Sequence, residues 1–133
     1  MELKRWKAHL GVELNLDPKF FPTNDTTANL MAVTDGLDGL DVAPLSLAIM
    51  RKCWVKEKDV AEDTVLVEAA NQCGLDGEAL LAASREDRAR EGFDANTEEA
   101  SKRQVFGAPT YIYKDKVFWG QDRLDFLGRA LAD

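Results

Sequence analysis

Residues that staple, coordinate or span are scarce in this 133-residue chain: two cysteines, one histidine and four prolines. No apolar run approaches the ~20 residues that cross a bilayer. Cys53 and Cys73, 20 positions apart, make neither a disulfide framework nor a C-x-x-C redox pair. Both fall on apolar helical stripes and are expected to be buried as small hydrophobes. Positive charge is short as well, with 17 Lys and Arg against 24 Asp and Glu, a net charge of −7. That balance argues against a nucleic-acid partner, which needs clustered cations to displace counterions, and against an anionic membrane surface. Met1-Glu2-Leu3-Lys4-Arg5-Trp6 lacks the basic-then-apolar layout of a secretory signal, so the expected setting is a reducing cytoplasm.

What is present is a chain 45% hydrophobic, its apolar residues interleaved with polar ones, so disorder is not expected. A chain of this length buries about two thirds of its unfolded surface on folding, and a single domain over 1–133 is expected. Leu3, Trp6, Lys7 and Leu10 recur at helical spacing, with Gly11 as a stop. Residues 12–16 alternate with period two, as a short strand or extended segment. Asn24 or Asp25 is placed to cap a helix through Val33, and residues 35–39 read as a turn-rich break. Asp41 precedes an apolar helix carrying Leu45, Ala48, Ile49 and Cys53, and a second such helix runs from Glu62 to Cys73, closed by Gly74. Asp76 caps a short helix, and the charged stretch 84–104 predicts two helical pieces divided near Gly92.

The last thirty residues change character. Thr110-Tyr111-Ile112-Tyr113 and Val117-Phe118-Trp119 are β-prone runs around Lys114-Asp115-Lys116, which reads as a tight hairpin. Gly120 breaks the second run, and a helix is expected from Asp122 to Leu131. Two strands alone are marginal, so partner strands are expected elsewhere. Gly107-Ala108-Pro109 before a strand suits a cis-proline entry loop, which leaves the backbone N–H and C=O of Ala108 available to an extended, peptide-like ligand. Gly120-Gln121-Asp122 sets an amide and a carboxylate at a helix start, where a zwitterionic amino-acid head group finds both free N–H groups and a partner for its ammonium. Read by themselves, Gln121 and Asp122 can equally be simple N-caps, and Trp119 reads first as a hairpin core residue. His9, in the last turn of the first helix, reads as a surface residue.

Residues 105–110 with Phe118-Trp119-Gly120-Gln121-Asp122-Arg123-Leu124-Asp125 resemble the C-terminal signature of the 2-hydroxychromene-2-carboxylate isomerases, relatives of kappa-class glutathione transferases. Asn96-Thr97-Glu98-Glu99-Ala100, Phe21-Pro22-Thr23-Asn24 and Trp54-Val55 through Asp59-Val60-Ala61 are similar to the same family. The resemblance implies an α+β, mostly helical chain with a DsbA-like thioredoxin fold: a helical insertion over 20–104 and a C-terminal β-β-α unit over 105–133. It implies glutathione as cofactor and a small aromatic-derived substrate. Ala108 and Pro109 would hold the cysteinyl backbone of glutathione, Gln121 and Asp122 its γ-glutamyl head group, with Trp119 and Asn24 nearby.

The family opens with a strand, a helix bearing a thiol-activating serine, and a second strand. Met1 aligns after that unit, so the chain is expected to be N-terminally truncated, and Ser46, Ser84 and Ser101 do not match the serine's motif. No catalytic residue and no metal ligand is assigned. The expected function is a glutathione-dependent isomerase or transferase acting on aromatic-degradation intermediates and incomplete as this chain alone. The alternative is a truncated, non-catalytic paralogue that dimerises and at most binds glutathione. A DsbA-like disulfide oxidoreductase ranks third, because C-x-x-C is missing. A missing opening unit leaves unpaired sheet edge and exposed apolar surface, so a homodimer or a swapped assembly is expected.

Overall fold

A computed structural model describes residues 2–132. The chain divides into two compact units, Met1–Asp94 and Ala95–Asp133, each described by itself below.

The first unit is helical. Helix α1 (Glu2–Leu10) ends at Gly11 as predicted, but none of its residues is buried. Trp6 is only half-buried and meets the exposed His9 edge-on, ring centroids 5.5 Å apart. The alternating segment 12–16 forms no strand ladder and enters a bend at Leu16; Asn15 N–H donates to the Trp54 carbonyl at 2.7 Å. Helix α2 (Thr26–Leu37) then packs on α3 (Val42–Trp54), which packs on α4 (Asp63–Gln72), and α5 (Gly77–Ala83) contacts both α2 and α4.

The core lies among these four helices, around the fully buried Met31, Leu45 and Leu66, with Ile49, Cys53, Val65 and Leu81. The caps form where the sequence sets them: Asp41 accepts from Ala43 N–H and Asp76 from Ala79 N–H, both at 3.0 Å. Cys53 is buried as expected, whereas Cys73, the residue after α4, is only half-buried.

Two expected breaks are absent. Helix α2 does not end at Val33 but runs through Asp35 and Gly36 to Leu37. The stretch expected to split near Gly92 is one helix, α6 (Asp87–Lys102), and the division between the two units falls within it. A Cβ at Gly92 would lie 2.9 Å from Leu37 and 3.0 Å from Val33, so the missing side chain makes room for α2 and does not end a helix. One at Gly36 would stand 3.1 Å from Val42 at the start of α3. Both glycines are close-approach positions, and the surrounding contacts offset their ~1 kcal/mol propensity cost.

The second unit contains the hairpin. β1 (Thr110–Tyr113) and β2 (Lys116–Trp119) pair antiparallel, with Thr110 opposite Trp119 and Tyr113 opposite Lys116. The loop is therefore the two residues Lys114 and Asp115, both at positive φ (46° and 60°), and Lys116 belongs to the strand. Two left-handed residues give the turn whose twist matches the flanking strands. A 3-10 turn (Gln121–Arg123) precedes α7 (Leu124–Ala132), so the closing α-helix starts two residues later than predicted. The expected partner strands are not found among the described residues, whose sheet has only these two. No described residue from 95 to 132 is buried.

Candidate functional site

The Ala108–Pro109 peptide bond is cis, as the Gly-Ala-Pro pattern predicts; Phe21–Pro22, in the first unit, is a second cis bond. The hydroxyl of Thr110 donates to the Gly107 carbonyl, and Gly120 N–H donates to the Pro109 carbonyl at 2.9 Å. These two bonds bracket Ala108, whose own N–H and C=O have no hydrogen-bond partner among the described residues. An exposed backbone pair at the mouth of a strand can add an extended peptide-like chain.

Around this bend lies a cleft of about 960 Å³. Ala108, Trp119, Gln121 and Asp122 line it together, with Phe106, Arg123 and Phe126 also in its wall. Pro109 is not among the residues lining the cleft, and its carbonyl is taken by Gly120 N–H. Trp119 is no hairpin core residue, being 54% exposed. Its indole lies over Gly107, where a Cβ would come within 2.6 Å of Nε1, and its ring tilts against Phe106 with centroids 4.9 Å apart. Gly107 is thus the residue that admits the indole as a wall of the cleft.

Gly120, at φ 95° and ψ 151°, turns the chain out of β2 and brings Gln121 and Asp122 to the cleft edge. A Cβ at Gly120 would collide with Asp122 Oδ1 at 2.6 Å, so the carboxylate folds back over this glycine. Its other oxygen, Oδ2, accepts from Arg123 at 3.0 Å. Neither residue caps a long helix: the segment is a three-residue 3-10 turn with no side-chain cap. Simple N-capping therefore does not account for the pair.

Asn24 belongs to the first unit, where its Oδ1 accepts from Thr26 N–H at 3.1 Å at the approach to α2. The adjacent Thr23 hydroxyl donates to Asp59 at 2.6 Å, and that bond, with one from Ala61 N–H, holds the Asp59 carboxyl below its ordinary pKa. The first unit also holds a smaller, mostly apolar cavity of about 250 Å³, with Cys53, Ser46 and Asn29 in its lining. Burial first, then Asp59, pushes the Cys53 thiol up, which suits a packing residue and not a nucleophile.

Of these lining residues, Ala108, Gln121, Asp122 and Trp119 are expected from their own segments, whereas Phe106, Arg123 and Phe126 are not. Arg123 was legible as the neighbour of Asp122, but its pairing with that carboxylate depends on the tight turn at Gly120.

Residues 1–132 match the DSBA-like thioredoxin domain, and the chain belongs to this family. Among curated proteins it is similar to a 2-hydroxychromene-2-carboxylate isomerase of Sphingobium xenophagum, 32% identical over 99% of this chain. It is also similar to one of Pseudomonas putida, 27% identical over 99% of this chain. The chain spans 66% and 63% of the length of these two relatives. A solved structure of a 2-hydroxychromene-2-carboxylate isomerase superposes with a TM-score of 0.81 at 24% identity, covering 98% of this chain and 63% of that one. That likeness shows the DsbA-like thioredoxin fold.

Proposed function

We propose that this chain carries the glutathione-holding part of an isomerase or transferase of the 2-hydroxychromene-2-carboxylate isomerase type, acting on small aromatic-derived substrates. The observation that carries the reading is the meeting of the Ala108 backbone, Gln121 and Asp122 on one cleft. The unpartnered N–H and C=O of Ala108 suit the main chain of a cysteinyl residue. The Gln121 amide and Asp122 carboxylate suit an α-amino-acid head group. The Asp122–Arg123 pair is exposed, and such pairs contribute only ~0–1 kcal/mol. A ligand ammonium can therefore take over the carboxylate and release the guanidinium to a ligand carboxylate.

Bound glutathione supplies a thiol for reversible addition to a conjugated enone. Free thiols titrate near ~8.5 and need a donor to become thiolate at neutral pH. The described lining of the cleft offers no serine, tyrosine or cysteine for that task. We therefore read this chain alone as a binder with inefficient turnover. Both cysteines are free, which fits a reducing cytoplasm holding a reduced glutathione pool. A second copy is the proposed partner, because among the described residues the second unit has unpaired strand edges and no buried side chain. A monomer by light scattering at assay concentration removes that part of the reading.

Isothermal titration tests the binding. Wild type should take up glutathione, and Asp122→Ala should bind about tenfold or more weakly, since a hydrogen bond to a charged group is worth ~1.5–3 kcal/mol. No heat from wild type at millimolar glutathione, or equal binding by the variant, refutes the site. Efficient isomerase turnover by the purified chain refutes the claim that it lacks an activating group.

A further inference from the structure

We propose that the first unit carries an oxyanion site of the phosphate class at the C-terminal end of α3, taking free phosphate or the phosphoryl group of a small metabolite. In a chain of net charge −7, four cations, Arg51, Lys52, Lys56 and Lys58, line one cavity of about 380 Å³ against the single carboxylate Glu68.

Cations near a helix C-terminus often serve only to satisfy its last carbonyls. Here backbone N–H groups already take the carbonyls of both cationic residues in the last turn. Val55 and Lys56 N–H both donate to the Arg51 carbonyl at 3.0 and 2.9 Å, and Lys58 N–H donates to the Lys52 carbonyl at 2.9 Å. Glu57, at φ 51°, makes the reversal that returns Lys58 to the helix end, so the backbone itself groups the cations.

The charges are unequally matched. Lys52, its side chain 8% exposed, lies 2.8 Å from Glu68. Gln72 Nε2 donates to the same carboxylate at 3.2 Å. That carboxyl is held below its ordinary pKa by the Lys52 hydrogen bond first, with Lys58 adding a weaker pull. Glu68 is therefore committed to the buried Lys52. Arg51 makes only a long 3.6 Å contact with the exposed Glu13. Lys56 and Lys58 have no carboxylate within ion-pair distance among the described residues. Three cations thus face the cavity with one loose partner between them, and the Arg51 guanidinium offers paired donors to an oxyanion.

Titration of the whole chain with inorganic phosphate tests this, against potassium chloride at matched ionic strength. Saturable binding is expected, with backbone amide shifts at Lys56 and Lys58, and at least a fivefold loss in Lys56→Gln/Lys58→Gln. Far-UV circular dichroism verifies that these exposed substitutions leave the fold intact, and Arg51→Gln provides a second variant with the same expected loss. Tighter binding of glycerol 3-phosphate than of phosphate supports a metabolite as the source, and equal binding supports the free ion. A response no greater than that to chloride, or variants that bind as wild type, overturns the proposal.

Discussion

Replacing Asp35 with asparagine should stabilise the protein at neutral pH, by an amount that fades on acidification. Asp35 lies on α2 with 1% of its surface accessible, and neither carboxylate oxygen has a hydrogen-bond partner among the described residues. Burial first, then the nearby Asp38 and Asp41, raises its pKa. Arg88 brings no relief, because its guanidinium pairs with Asp38 and the Leu37 carbonyl at 2.7 and 2.8 Å. Among the described residues no group of three acidic, histidine or cysteine side chains is arranged to hold a metal that would neutralise it.

A buried, unsatisfied polar group costs roughly 1–3 kcal/mol, and more when charged. Asparagine keeps the shape and removes the charge but still buries an amide, so the expected net gain near pH 7.5 is about 1–2 kcal/mol. The sign follows from the raised folded-state pKa. Below the unfolded carboxyl value of ~3.9, both states hold the proton and the penalty vanishes. As pH rises through that value and then through the raised folded one, the penalty grows to its full size. Asp59 and Glu68, whose pKa values are lowered, act in the opposite direction, their contribution being lost as pH falls. They are common to both proteins and cancel in the difference. Urea unfolding of wild type and Asp35→Asn, at about pH 3.5 and about pH 7.5, measures it. A variant less stable than wild type at the higher pH, or a gain that does not shrink at the lower, refutes the reasoning.

Two further perturbations separate the core from the cleft. Leu66→Ala, at a fully buried position in the core cluster that also holds Met31 and Leu45, should cost about 3 kcal/mol in urea unfolding; a loss below about 1 kcal/mol contradicts the packing described. Gly107→Ala puts a methyl 2.6 Å from Trp119 Nε1 and must displace the indole. Glutathione affinity should fall at least fivefold while the far-UV spectrum is kept, and unchanged affinity removes Trp119 from the binding wall.

Much of this architecture is legible in the chain because local chemistry sets it. Asp41 and Asp76 cap where they stand, and Gly107-Ala108-Pro109 is followed by the strand it predicts. The misreadings have one physical origin, which is that a sequence does not display what lies across from a residue. Gly36 and Gly92 look like stops until Val42, Val33 and Leu37 are seen against them. Asp35 looks like a turn residue, yet it sits buried within α2. The cleft divides in the same way. Ala108, Gln121 and Asp122 are found from their own segments, whereas the pairing of Asp122 with Arg123 needs the backbone at Gly120.

Amide chemical shifts of the ¹⁵N-labelled protein, followed through a glutathione titration, address the cleft most directly. Saturable shifts confined to Ala108, Gly120, Gln121, Asp122 and the Trp119 indole are predicted. Shifts scattered over both units, or none at those residues while the ligand is in excess, contradict the account.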